Sequence, residues 1–172
     1  MLVRRDEFRA SKIMAARVRN TENIEILFNT ETGEVWLHEH GPRGGDEINI
    51  SRSGKNFGWP VISYGINYSG TTFTEITQKE GMEQPVYYWV PSIAPSGMAF
   101  VDGSKDKHLE GNILAGSLKF QYLEHLVLKK DIVVKREKIL EDVGRVRNVV
   151  MGPDGSVYLG VEGKGILKLI KK

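Results

Sequence analysis

The chain has 172 residues, and its 24 basic and 22 acidic side chains leave a net charge of +2, so its length is that of one ordinary domain and its charge balance argues against a nucleic-acid binder. With 40 % hydrophobic and 27 % charged residues the composition is globular, which excludes disorder and collagen-like repetition and leaves enough chain to bury a core. There is no cysteine, so disulfides and thiolate metal sites are excluded and packing must hold the fold, aided at most by oxygen-ligated ions.

Residues 1–18 form a segment of uncertain structure. Only residues 6–16 have helical propensity, and Phe8, Ile13 and Met14 are poorly placed for an apolar stripe. Arg4, Arg5, Asp6, Glu7, Arg9 and Lys12 interrupt every apolar run, so no secretory signal is expected there. No later stretch approaches the roughly 20 apolar residues that cross a bilayer. As written, the chain reads as cytoplasmic, with no membrane span.

Glycine, at 19 residues, is abundant and falls between short β-prone runs, which predicts many short strands joined by tight turns. Strands are expected over residues 24–28, 35–38 and 47–50, then 98–101, 112–115 and 125–128, then 147–151, 157–161 and 166–170. The last group is punctuated by Gly152-Pro153-Asp154-Gly155, in which proline presets φ and glycine accepts a positive φ. These three units are separated unevenly, because residues 51–95 insert a Gly/Tyr/Trp-rich stretch. Repeating units of three or four strands suggest propeller blades, while a β-sandwich fits the same strand spacing. Three units fall short of the four to eight blades that close a propeller.

The densest polar segment is His38-Glu39-His40-Gly41-Pro42-Arg43-Gly44-Gly45-Asp46-Glu47. Its glycines and proline bend the backbone so that carbonyls can converge, and Asp46 and Glu47 add carboxylates, the donor types that Ca²⁺ takes. The alternative is a polar turn between two strands. His38 and His40 lie two apart and could pair on a transition metal, or be exposed or hydrogen-bonded. His108 and His125 have no carboxylate or serine at triad-like spacing, so a serine hydrolase has no support.

Cations recur beside turns: Arg19 with Asn20, Lys119, and Arg145 with Arg147. An extended segment puts Arg145 and Arg147 on one side, as two guanidinium forks suited to a polycarboxylate or phosphate. All fall at equivalent points of the units, and in a radial fold equivalent points converge on the axis. Trp59, Tyr64, Tyr68, Tyr87, Tyr88 and Trp89 form an aromatic cluster, suited either to packing or to stacking on a flat ring.

The run Glu39-His40-Gly41-Pro42-Arg43-Gly44-Gly45-Asp46-Glu47 followed by Gly54-Lys55-Asn56-Phe57-Gly58-Trp59-Pro60 resembles the soluble quinoprotein aldose (glucose/sorbosone) dehydrogenases. So do Tyr64-Gly65-Ile66-Asn67-Tyr68-Ser69-Gly70, Gln84-Pro85-Val86-Tyr87-Tyr88-Trp89, Ala94-Pro95-Ser96-Gly97-Met98-Ala99-Phe100 and Gly152-Pro153-Asp154-Gly155. The resemblance runs in order from about Arg19 to the C-terminus. It implies an all-β fold, a partial six-bladed β-propeller of about three blades, in which residues 19–172 are the C-terminal half. It further implies pyrroloquinoline quinone (PQQ) held on Ca²⁺ and oxidation of an aldose at C1 by hydride transfer to the quinone.

By that resemblance the carbonyls of Gly41 and Pro42 ligate the PQQ-bound Ca²⁺, and Glu47 with the Phe57 carbonyl holds a separate structural Ca²⁺. Arg19 and Asn20 sit beside the quinone oxygens, with Arg19 as the catalytic candidate. Lys119, Arg145 and Arg147 contact the PQQ carboxylates, and Trp89 stands at the cofactor and substrate face. The family is commonly periplasmic or secreted. Two departures stand out. Thr21-Glu22-Asn23 replaces the family's Pro-Gln-Gly and brings a carboxylate toward an anionic cofactor. The family's general-base histidine and its aspartate belong to the first half, and none of His38, His40, His108 or His125 matches that position. The expectation is therefore a ring closed by a second copy or by a missing N-terminal half, with a catalytically inactive Ca²⁺-, PQQ- or sugar-binding fragment as the alternative.

Overall fold

The computed structural model describes residues 34–170, so the predicted strand at 24–28, the candidate helix at 6–16, and Arg19 and Asn20 lie outside the described residues. Ten strands follow in chain order and no helix occurs among the described residues, so none there is long and apolar enough to cross a membrane. β1 (Val35–Glu39), β2 (Asp46–Ser51) and β3 (Tyr87–Trp89) form the first sheet. The second is β4 (Pro95–Phe100), β5 (Ile113–Ser117), β6 (Leu123–Lys129) and β7 (Ile132–Leu140), hydrogen-bonded in that order. The third is β8 (Val146–Met151), β9 (Val157–Val161) and β10 (Gly165–Lys168). Every pairing is antiparallel, and within each sheet each strand joins the one before it in the chain.

Side chains alternate across a strand, and the middle sheet uses both of its faces. Ile113 and Ala115 of β5 pack with Trp36, Ile48, Ile50 and Trp89 of the first sheet. Leu114, between them, packs the other way, with Val146, Val149, Val157 and Leu159 of the third. All five residues of β5 are accordingly buried. A sandwich encloses one core between two sheets, whereas here three sheets enclose two cores in succession, the arrangement of consecutive propeller blades. This decides between the two architectures that strand spacing alone leaves open.

The sheets meet along their first strands. A Cβ on Gly97 in β4 would stand 2.6 Å from the Asn148 backbone of β8, and its φ of +69° already lies in the left-handed region. Gly116 faces the Val146 side chain and the Ser96 carbonyl in the same way. At Gly152-Pro153-Asp154-Gly155 the Gly155 amide donates to the Gly152 carbonyl at 3.0 Å, and the Gly152 amide donates to the Ser156 carbonyl at 2.8 Å, closing the expected turn.

One buried carboxylate reaches across the first core. Glu124 of β6 is fully buried, accepting from the Trp89 indole Nε1 at 2.7 Å and from Arg136 Nε of β7 at 2.7 Å. Removing the guanidinium would strand a buried carboxylate with one neutral donor. Arg136→Met, which keeps the apolar stem, is therefore expected to cost about 3 kcal/mol, read as a lower urea midpoint, while Glu124→Gln with Arg136 intact costs less.

Candidate functional site

The polar segment after β1 folds back on itself. β1 and β2 pair from Val35 with Ser51 through to Glu39 with Glu47, which leaves residues 40–45 as the connecting loop. A Cβ on Gly41 would run into the carbonyls of Gly44 and Gly45, so only glycine permits this turn. The loop is held from below by Asp46, 1 % exposed, whose Oδ1 accepts from the Gly41 amide at 2.8 Å and whose Oδ2 accepts from the Ala94 amide at 2.7 Å. Gly44 donates to Ser92 Oγ at 2.9 Å, and His40 Nε2 meets the Pro95 carbonyl at 2.8 Å. Both contacts tie the loop to the approach to β4. From above, the Arg43 amide donates to the Ile66 carbonyl at 2.9 Å, and the Ile66 amide donates back to the Arg43 carbonyl at 3.1 Å, so the long insert closes over the loop.

Between loop and insert lies a cavity of about 500 Å³ lined by Gly41, Pro42, Glu39, Glu47, Phe57 and Trp59, among others. The structure thus brings the four expected metal-binding residues, Gly41, Pro42, Glu47 and Phe57, to one cavity. The Pro42 carbonyl is met by Ser92 Oγ at 3.5 Å, at the limit of hydrogen bonding, which leaves its lone pairs to spare.

Asp46 differs from its expected part. Neighbouring residues on a strand face opposite ways, so Asp46 turns inward with Ile48 while Glu47 turns toward the cavity. The sequence reading missed Glu39, which the register sets directly opposite Glu47. Asn49 Nδ2 donates to Glu39 Oε1 at 2.6 Å and to Glu47 Oε2 at 3.1 Å, so one amide serves both carboxylates. Both carboxyls titrate above their ordinary range, chiefly because burial disfavours their charge, and Glu47 further because Glu39 repels it. Two carboxylates opposed across a ladder, in a cavity that Gly41 and Pro42 also line, are donors of the type that a hard divalent cation takes.

The expected cofactor contacts stand elsewhere. Arg145 Nε and Arg147 Nη2 both reach Glu162 Oε2, at 3.2 and 2.5 Å, so the two guanidinium groups lie on one side as the extended pattern predicts. Glu162 is half exposed, and such a pair is worth little in water. Lys119 follows a turn in which the buried Ser117 Oγ donates to the Ile93 carbonyl at 2.8 Å, and its own amide donates to the same carbonyl at 3.1 Å. Its ammonium lies 5.0 Å from the Phe120 ring centroid. None of these three cations lines the cavity.

They are joined to it by the backbone at residues 93–96. Ala94 bonds Asp46, Ile93 bonds the Lys119 turn, and Ser96 Oγ donates to the Arg147 carbonyl at 3.1 Å. Trp89 is 1 % exposed, with its indole committed to Glu124, so it presents no open ring face among the described residues. The exposed aromatics at the cavity are Trp59 and Tyr68, and Tyr64 stacks on Tyr88 with ring centroids 3.7 Å apart.

The Glucose / Sorbosone dehydrogenase family profile matches residues 3–170. Aldose sugar dehydrogenase YliI of Escherichia coli (strain K12) is 41 % identical over 152 residues, which is 87 % of this chain and 40 % of that protein. A crystal structure of a glucose dehydrogenase superposes with a TM-score of 0.81 at 43 % identity, over 86 % of this chain and 44 % of that one. The PQQ-bound form of an aldose sugar dehydrogenase from Streptomyces coelicolor shares the fold, with a TM-score of 0.58 at 24 % identity over 83 % of this chain and 41 % of that one. The chain spans less than half the length of these relatives. From its sequence, matched almost end to end, and its stack of antiparallel blades, the chain belongs to the Glucose / Sorbosone dehydrogenase family.

Proposed function

We propose that this chain is the Ca²⁺- and PQQ-holding part of an enzyme that oxidises an aldose sugar at C1. The observation that carries the reading is the meeting of Gly41, Pro42, Glu47 and Phe57 at one cavity, in a chain of this family. Its volume lies in the range that takes small ligands. The residues fit a hard cation: spare carbonyl lone pairs stand beside two carboxylates that burial and mutual repulsion leave short of compensating charge. PQQ, when bound, supplies a quinone that accepts the hydride from the sugar carbon.

The chain's own part is to bind and orient. The Gly41 and Pro42 carbonyls would hold the cofactor's Ca²⁺, while Glu47, with Glu39 beside it and the Phe57 carbonyl, would hold the second ion. Lys119, Arg145 and Arg147 would meet the cofactor's carboxylates, which replace Glu162 as the partner of the two arginines. Arg19 and Asn20 would complete the quinone contacts. Trp59 and Tyr68 offer exposed faces on which a sugar ring can stack.

A second reading, binding without turnover, is favoured by the histidines. Sugar oxidation needs a base to take the C1 hydroxyl proton, yet His40 is held by the Pro95 carbonyl, and His108 and His125 both address Glu137. His38, whose Nδ1 is unpartnered, does not line the cavity, so none of the described histidines is placed there as a free base. A further stretch of chain or a second copy would close the ring against the third sheet, where Ile166 is 80 % exposed and Ile170 is 70 % exposed.

Three outcomes are expected. Glu47→Gln relieves a like-charge opposition and should stabilise the metal-free chain by up to about 1 kcal/mol, while removing most of the rise in melting temperature that Ca²⁺ gives the wild type. A carboxyl with a raised folded pKa holds more protons folded than unfolded, so the metal-free chain loses stability as pH rises through that range, and Ca²⁺ is released as pH falls back through it. In a PQQ titration with saturating Ca²⁺, followed by calorimetry, one equivalent should bind, and Arg147→Ala should weaken it about tenfold, the loss of one charge-assisted contact. Dye-linked sugar oxidation then supports the oxidoreductase, binding without it supports the second reading, and absence of binding contradicts both.

A further inference from the structure

On the outer half of the middle sheet, three side chains from separate stretches of chain converge. His125 comes from β6 and Glu137 from β7, paired directly across the ladder, and His108 comes from the connection between β4 and β5. Glu137 Oε2 stands 3.2 Å from His125 Nδ1 and 3.2 Å from His108 Nε2, and the three donor atoms all lie within 4.8 Å of one another. The other Glu137 oxygen is held by the Lys135 ammonium, which fixes the carboxylate with Oε2 toward the two rings.

The spacing is that of a small metal ion as much as of a hydrogen-bonded cluster. A tetrahedral ion with nitrogen and oxygen donors about 2.0 Å away keeps those donors roughly 3.3 Å apart. Two of the three edges already have that length. The third closes if His108, whose side chain is 58 % exposed on a loop, turns about its contact with Glu137. Two imidazoles and one carboxylate are a borderline donor set that suits Zn²⁺ and its neighbours rather than Ca²⁺.

His125 is fully buried and bonded through Nδ1 to Glu137, while its Nε2 is unpartnered.

We propose that His108, His125 and Glu137 form a binding site for Zn²⁺ or a similar imidazole-preferring divalent ion, with the remaining coordination position open to water beside His108. The bound ion clamps the β4–β5 connection onto the β6–β7 hairpin. Two features oppose it: the Lys135 charge, and the proton that must move from Nδ1 to the unpartnered Nε2 of His125. The site therefore binds more weakly than a closed four-ligand zinc site. None of its residues lines the Gly41–Pro42 cavity, and the inference does not depend on quinone binding.

The test uses the full 172-residue chain with excess Ca²⁺ present, so that oxygen sites are filled, and Co²⁺ as the probe. One equivalent of Co²⁺ should produce the intense visible absorption of a four-coordinate ion, and Zn²⁺ should abolish it by displacement. His108→Ala, at an exposed loop position, and Glu137→Gln should each weaken binding at least tenfold and remove the Zn²⁺-induced rise in melting temperature. His40→Ala should leave both unchanged. Absence of the absorption, its persistence in His108→Ala, or its loss in His40→Ala would overturn the proposal.

Discussion

A carboxylate sealed from water must be met by donors on the protein, and Asp46 is met by two backbone amides that belong to different sheets. One of its oxygens fixes Gly41 at the end of the first sheet, and the other fixes Ala94 at the entry to the second. With the Gly44, His40 and Arg43 contacts, this clasp holds the loop that carries Gly41 and Pro42 at the edge of the cavity. The same two amides, left unpaired, would each carry a buried desolvation cost, so loop geometry and fold stability share one side chain.

From Ala94 the arrangement spreads through the backbone. Residues 93–96 touch the Lys119 turn through Ile93 and the Arg147 carbonyl through Ser96, so two loops and the start of β8 are positioned by one short segment. Glycine makes the approach possible, since Gly97 and Gly116 bring β4 and β5 against β8 where side chains would collide. The cations on these loops are therefore placed by hydrogen bonds beneath them and stay exposed above. Such placement suits recognition of an anionic ligand, because their present partners are solvent, an aromatic ring and the half-exposed Glu162.

Much of the fold is legible in the amino-acid pattern, because inner strands are apolar and bounded by glycine turns. The runs at 35–38, 47–50, 125–128, 147–151 and 157–161 are strands with those limits or a little more, and the run at 112–115 is a strand shifted toward the C-terminus, to 113–117. β7 escapes such a reading because it is an outer strand whose charged side chains face water, and β3 because three aromatic residues inside a loop-like insert carry no periodicity. Within the site, backbone donors could be anticipated from glycine and proline, which bend a chain wherever they stand. Contacts across the ladder could not. Glu39 opposite Glu47, and Glu137 against His108 and His125, depend on register, which local sequence does not encode. Asp46 and Glu47 are adjacent and alike, and only the pleat assigns one to the core and the other to the cavity. Trp89 is an aromatic whose burial follows from its bond to Glu124, a partner 35 residues away.

The claim at the centre of this account is that Asp46 shapes the proposed cation site without itself being a ligand. Calorimetric titration of Ca²⁺ into Asp46→Asn, with circular dichroism confirming that the variant is folded, tests it most directly. The substitution keeps the shape but turns one acceptor into a donor facing a backbone N–H. An affinity at least tenfold below that of the wild type is the expected result, equivalent to about 1.4 kcal/mol, and an unchanged affinity in the folded variant would contradict the account.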